Sequence, residues 1–238
     1  MNGSKPSGSS PANASPAGSN PAWMGKWAHD LRGPLAPIQS ALFLLRHSGS
    51  DANERDELFE LIERQMRRLT GMIDEIGDWV RADQGRLLTR SGPIDLALIV
   101  EASRGLGANA VEVRYDNQAE NVCLEGDASR LANLLSTFFW LVSTPHDSNA
   151  ASGAPGSASI EVHEGSVHLT GPLSPAIRAG SDIETLFTQP QVAPAGDGLG
   201  LRLLIASAIA KGHGGELGTR ASDDGAVEVV LRLPVLQS

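Results

Sequence analysis

The stretch WAHDLRGPLAPIQSALFLLR, residues Trp27 to Arg46, decides the fold. Its apolar residues Leu31, Leu35, Ile38, Leu42 and Leu45 recur at alternating steps of four and three, the seam of a helix packed on another helix. The pattern predicts one helix from Trp23 to about His47. Pro34, which lacks a backbone N–H, should bend it one turn beyond His29. With the seam turned inward, His29 falls off it and faces solvent.

The residues on either side extend this reading. SGSDAN, residues 48–53, interrupts the helix, and Asp51 or Asn53 can cap the next one. A second helix is expected from about Glu54 to Ala82. Its seam is Leu58, Ile62, Gln65, Leu69, Met72, Ile76 and Trp79, again at steps of four and three. Phe59, Leu61, Met66, Ile73 and Val80 widen its apolar face beyond what one partner helix covers. Two such hairpins from two copies would close a four-helix bundle; a hairpin packed on its own chain is the alternative. Upstream, residues 1–21 are Ser, Gly, Ala, Asn and Pro with almost nothing to bury. They are expected to form a disordered tail, with Pro21 near the first helix start.

Downstream, DQGRLLTRSGP punctuates the end of the hairpin. IDLALIVEASRGLG then reads as helix, VEVRYDN and NVCLEGD as strands, and DASRLANLLSTFFWLVST as a helix capped by its Asp. ASIEVHEGSVHLTG alternates at period two around Glu164-Gly165, a β-hairpin. GLGLRLLIASAIAKGHGG is a helix opened by glycines and stopped at His213-Gly214-Gly215, and AVEVVLRLPV is a last strand. A Gly/Ala/Ser-rich stretch from Thr144 to Ser159 is expected as a long loop. The fold class is α+β: a helical hairpin over residues 22–90, dimeric through its bundle, then a two-layer α/β sandwich over residues 91–238.

The chain has 238 residues, 41% of them hydrophobic, and a net charge of −9. The acidic balance argues against a nucleic-acid partner, which would need a basic surface. The single cysteine, Cys123, excludes an internal disulfide and a cysteine-based zinc site, and it is expected to be a small buried side chain. No apolar run approaches the roughly 20 residues of a membrane span, and no signal sequence is evident. The expectation is a cytoplasmic protein without a membrane partner and without a resident metal.

HDLRGPLAPI, residues 29–38, resembles the H-box of sensor histidine kinases, and the helical hairpin resembles their dimerisation and histidine-phosphotransfer domain. GDASRLANLLSTFFWLV is similar to the start of the first helix of their ATP-binding domain, and GDGLGLRLLIASAIAKGHGG to their second glycine box with the helix after it. The resemblance implies an ATPase-type sandwich for the second domain. It also implies a phosphoryl group carried on His29 and exchanged with an aspartate on the receiver domain of a response regulator. An imidazole with its ordinary pKa of about 6.5 is largely neutral in the cytoplasm and can attack phosphorus. Asp30 can hold the other ring nitrogen or take its proton, and Arg32 can neutralise phosphoryl charge. Gly196, Gly198 and Gly200 would let the backbone approach nucleotide phosphates at a helix N-terminus.

Against the family pattern, the chain departs in three motifs. Thr137 and Leu141 stand where paired asparagines would serve Mg²⁺ and the phosphates, with Asn133 one turn too early. Gly171 stands where an aspartate would bind the adenine amino group, with Leu173 and Pro175 in place of glycines. Gly33 replaces the Asn or Thr four residues after the histidine, which bears on phosphatase activity. Phe187 in DIETLFTQP echoes the family's phenylalanine box. ATP and Mg²⁺ are thus implied by the family while their ligands are missing. Three readings follow: a histidine kinase, an ATP-independent histidine phosphotransferase with a degenerate ATP domain, or a non-catalytic scaffold for a response regulator.

Overall fold

The computed structural model describes residues 21–47, 51–104, 111–119, 121–143, 156–180, 182–191, 198–222 and 225–236. The expected tail lies outside them, apart from Pro21, as do Gly196 and most of the Thr144 to Ser159 stretch.

Where one bent helix was expected there are two. Helix α1 spans Pro21–Arg32 and α2 spans Leu35–His47. Gly33 donates its N–H to the Asp30 carbonyl at 3.2 Å, an i→i−3 turn, and Pro34 has no N–H to continue the ladder. The break therefore falls just after His29. Helix α3, Ala52–Asp83, is 32 residues long and is capped by Asp51, whose carboxylate accepts from the Glu54 N–H at 2.9 Å. It packs antiparallel on α2. Near the far end of α3, Trp27 of α1 meets Trp79 edge to face at 5.4 Å.

The hairpin covers only part of its apolar surface. On α3 the expected seam is half-buried, with Met72 fully buried. Phe59, Met66, Ile73 and Val80, a second stripe at steps of seven, stay exposed, as do Leu35, Leu42, Phe43 and Leu44 on α2.

The second domain is a two-layer sandwich. Strands β2 (Val111–Tyr115), β4 (Gly156–His163), β5 (Ser166–Pro172), β7 (Val227–Pro234) and β6 (Glu216–Ala221) form one sheet in the order β2-β4-β5-β7-β6. All pairs are antiparallel except β2 with β4. The β4–β5 turn falls at Glu164 and Gly165, both at positive φ. Helix α5 (Ala128–Val142) packs over β4 and β7, α7 (Arg202–Gly212) over β6 and β7, and α4 (Leu96–Arg104) lies against α5. Phe138, Leu131, Leu134, Leu135 and Leu141 from α5 fill the layer between.

Several local expectations are corrected. Ile94 and Asp95, expected as helix, belong to strand β1 (Gly92–Asp95), which pairs with β3 (Cys123–Gly126) in a separate two-stranded sheet. Asp95 caps the helix that follows, accepting from the Leu98 N–H at 3.0 Å. Gly156–Ser159 are strand, not loop. Strand β6 and the short helix α6 (Pro175–Gly180) went unread. Cys123 is exposed, not buried: Leu124 and Gly126 take the inward pleat positions, so Cys123 points out.

Candidate functional site

His29 sits in the last turn of α1, just before the break, with 88% of its side chain exposed. Its Nδ1 lies 3.3 Å from Asp30 Oδ1. A carboxylate can only accept, so this contact places the proton on Nδ1 and leaves the Nε2 lone pair facing solvent. Asp30 is fixed by Lys26, one turn earlier, whose ammonium donates to Oδ2 at 2.8 Å. That bond, helped by His29 and opposed by partial burial, holds the Asp30 carboxyl below the usual carboxylate range.

A cleft of about 320 Å³ opens beside this pair, lined by Lys26, His29, Asp30, Gly33, Arg68, Met72 and Gly198. Its cations are Lys26 and Arg68. Arg32 is exposed in the last turn of α1 and does not line it. Lys26 and Arg68 escaped the sequence reading. The available signals were the i,i+4 spacing of Lys26 to Asp30 and the placement of Arg68 four residues before Met72 on the seam side of α3.

The other wall of the cleft comes from the second domain. Gly198 and Gly200 lead into α7, while Gly196 lies outside the described residues. Gly200 has φ +82° and a Cβ there would run into the Gln191 carbonyl, so glycine is required. A Cβ on Gly198 would collide with the Glu75 carboxylate of α3. Glu75 Oε2 accepts from the Leu199 N–H at 2.8 Å, and Glu75 also accepts from the Leu201 N–H. Burial pushes the Glu75 carboxyl up, against the pull of those two amides and of Arg202. Arg202, at the first position of α7, donates from Nε to Thr137 Oγ1 at 3.2 Å and from Nη2 to the Ser136 carbonyl at 3.4 Å. Its guanidinium lies 4.6 Å from the centre of the Trp140 ring. Burial lowers its pKa, with Glu75 opposing.

The residues in the nucleotide region do not fit Mg·ATP. Leu141 is fully buried and has no oxygen to offer a cation. Thr137 Oγ1 donates to the Asn133 carbonyl and accepts from Arg202, while Asn133 itself is exposed. Gly171 sits inside strand β5 opposite Val229, and a Cβ there would lie 2.6 Å from the Ser157 carbonyl. An aspartate cannot be accommodated without moving backbone. Phe187 packs against the core. Among the described residues no group of three or more His, Cys, Asp or Glu could hold a metal ion.

Below the cleft, Arg130 of α5 binds Asp78 of α3 at 2.7 Å, joining the two domains. Asp127 caps α5 through Ser129 and Arg130 and also accepts from Thr89 and Arg90 in the hairpin's exit. Burial alone would raise its carboxyl; these donors outweigh it and hold it far below the usual range. His213, read as part of a helix stop, caps α7 at its C-terminal end. Its Nε2 accepts from the Asp127 N–H at 3.0 Å, so Nδ1 carries the proton and donates to the Ile209 carbonyl at 2.8 Å.

Residues 22–85 match the family described as the His Kinase A (phospho-acceptor) domain. The sensor histidine kinase TrcS of Mycobacterium tuberculosis is 28% identical over 231 residues, covering 88% of this chain and 43% of that protein. The chain spans less than half the length of the curated relatives it matches first. Among solved structures, the histidine kinase AdeS of Acinetobacter baumannii superposes with a TM-score of 0.59 at 16% identity, covering 88% of this chain and 98% of that one. Full-length ShkA in complex with AMPPNP gives 0.57 at 18% identity, covering 92% of this chain and 47% of that one. At these identities the two structures speak for the fold. No described helix is long and apolar enough to cross a membrane.

Proposed function

We propose that the chain is a histidine kinase-like two-component signalling protein, a reading supported by its match to the His Kinase A (phospho-acceptor) domain and its likeness to sensor histidine kinases, and that His29 is the residue that takes up and passes on a phosphoryl group. The supporting observation is the exposed imidazole with Nδ1 held by Asp30 and Nε2 open, beside a cleft that carries Lys26 and Arg68. The exchange partner is an aspartate on a response regulator's receiver domain. As the Nε2–P bond forms, the bond from phosphorus to the aspartyl oxygen breaks, and the carboxylate leaves as an anion; the reverse step returns the group. Asp30 stabilises the positive charge that the ring acquires, and Lys26 and Arg68 face the phosphoryl oxygens.

A specific observation favours a second reading for the source of the phosphoryl. Leu141, Thr137 and Gly171 leave Mg·ATP without its ligands, so the group would arrive from another phosphorylated protein. The bundle is proposed to close around a second copy of the chain, which would cover the Phe59, Met66, Ile73 and Val80 stripe. Sedimentation should show a dimer that the double variant Met66→Glu, Ile73→Glu dissociates; an unaffected dimer would place the interface elsewhere.

The test of function is transfer of radiolabel. Wild type and His29→Ala are each mixed with a phosphorylated receiver domain, and separately with labelled Mg·ATP. Acid-labile label on wild type alone, from the receiver, is the expected result. Equal label on His29→Ala would remove His29 from the mechanism. Label from Mg·ATP would show that the ATP site works with ligands other than those the family uses.

A further inference from the structure

We propose that Glu75 is the built-in anionic occupant of the glycine loop, closing it to nucleotide phosphates and fixing it as a wall of the His29 cleft. A loop of glycines running into a helix N-terminus offers unpaired N–H groups and a positive dipole end, the arrangement that binds phosphate. Here the loop amides are taken from within the chain. Glu75 bonds the Leu199 and Leu201 amides, in the loop just ahead of the first turn of α7, whose N-cap Leu201 has no side chain able to cap the helix. The approach is close enough that a Cβ at position 198 would push the Glu75 carboxylate aside. Arg202 completes the exchange of ligands. Its guanidinium sits on Thr137, where the family pattern would place a metal-binding asparagine, and it is electrostatically coupled to Glu75. An internal carboxylate stands for the phosphate and an internal guanidinium for the cation.

The consequence is architectural. Arg68, Met72, Glu75 and Trp79 follow one another on α3 at steps of four, three and four, so they share one face. Arg68 and Met72 line the His29 cleft together with Gly198, the residue on which Glu75 closes. The contact holds the second domain against the hairpin and keeps the glycine loop as a wall of the His29 cleft. This goes beyond the phosphoryl exchange proposed above and does not depend on it.

The test uses the full chain as wild type, Glu75→Ala and Glu75→Gln, with circular dichroism to confirm that each is folded. The readouts are amide hydrogen exchange at Leu199 and Leu201 and binding of pyrophosphate, a bare probe of the loop. Loss of hydrogen bonds to a charged acceptor should speed exchange at the two amides by at least about tenfold in Glu75→Ala, with a smaller rise in Glu75→Gln. Pyrophosphate should bind Glu75→Ala at least about tenfold more tightly than wild type. Unchanged exchange at both amides overturns the proposal, and so does pyrophosphate binding that is equal in the two proteins at any level. Neither readout involves His29, so failure here and failure of the phosphoryl exchange are separate results.

Discussion

The two walls of the cleft treat their polar groups in opposite ways. On the hairpin side His29 is exposed and makes one contact, to Asp30, which leaves its nucleophilic nitrogen uncommitted. On the sandwich side, among the described residues, the Leu199 and Leu201 amides are paired with Glu75, and Thr137 with Arg202 and the Asn133 carbonyl. Leu141 is sealed in the core. An outside group that meets only the His29 Nε2 has no bond to displace, whereas one at the glycine loop must first break a charge-assisted bond, which costs about 1.5–3 kcal/mol. The difference separates an imidazole nitrogen left open to solvent from a loop consumed by the protein's own packing.

The sharpest way to break this comparison is to disable one group on each side. His29→Ala should lose all label transferred from a phosphorylated receiver, since no other group supplies the nitrogen. Arg202→Ala should keep the initial rate within about threefold, the loss coming only from looser packing. Should Arg202→Ala fall as far as His29→Ala while still folded, the sandwich side would hold reacting groups and the contrast would fail.

What was legible in the sequence follows the same divide. The hairpin could be read because its period runs through one 32-residue helix and because His29, Asp30 and Pro34 are neighbours in the chain. The Asp51 and Asp127 caps and the Glu164-Gly165 turn were equally local. The glycine loop could be seen, but its occupant could not, because Glu75 lies 124 residues away from Leu199. Strand β1 hid behind Pro93, and β6 carries Gly218 with charged neighbours, which blurs alternation. Cys123 was misplaced for a subtler reason: alternation fixes that one set faces in, and a shift of one residue in register exchanges the two faces.

The sandwich side can also be tested by repair. Leu141→Asn restores one metal ligand in name. Its side chain would replace a fully buried leucine in the layer between α5 and the sheet. Lost apolar contacts and an unsatisfied amide together should lower stability by roughly 3–5 kcal/mol in urea unfolding, with no gain in Mg·ATP binding. A stable variant that binds Mg·ATP would mean that the core can yield a cation site, and that the nucleotide region is one substitution from function.

A smaller effect concerns the joint between the walls. Asp127 is tied at once to the start of α5, to Thr89 and Arg90 in the hairpin's exit, and through its own N–H to His213. Its carboxyl is held below the range it has in the unfolded chain. The unfolded state therefore takes up a proton first as the pH falls. The stabilisation is complete above the ordinary aspartate pKa of about 3.9 and drains away below it. Asp127→Asn removes the charge at every pH and should cost about 1–2 kcal/mol at neutral pH, because an amide oxygen accepts more weakly than a carboxylate from Thr89, Arg90 and Ser129. The gap between wild type and variant should narrow as the pH falls from about 5 toward 3. A gap that stays constant over that interval would show that shape, and not the carboxylate charge, makes the joint.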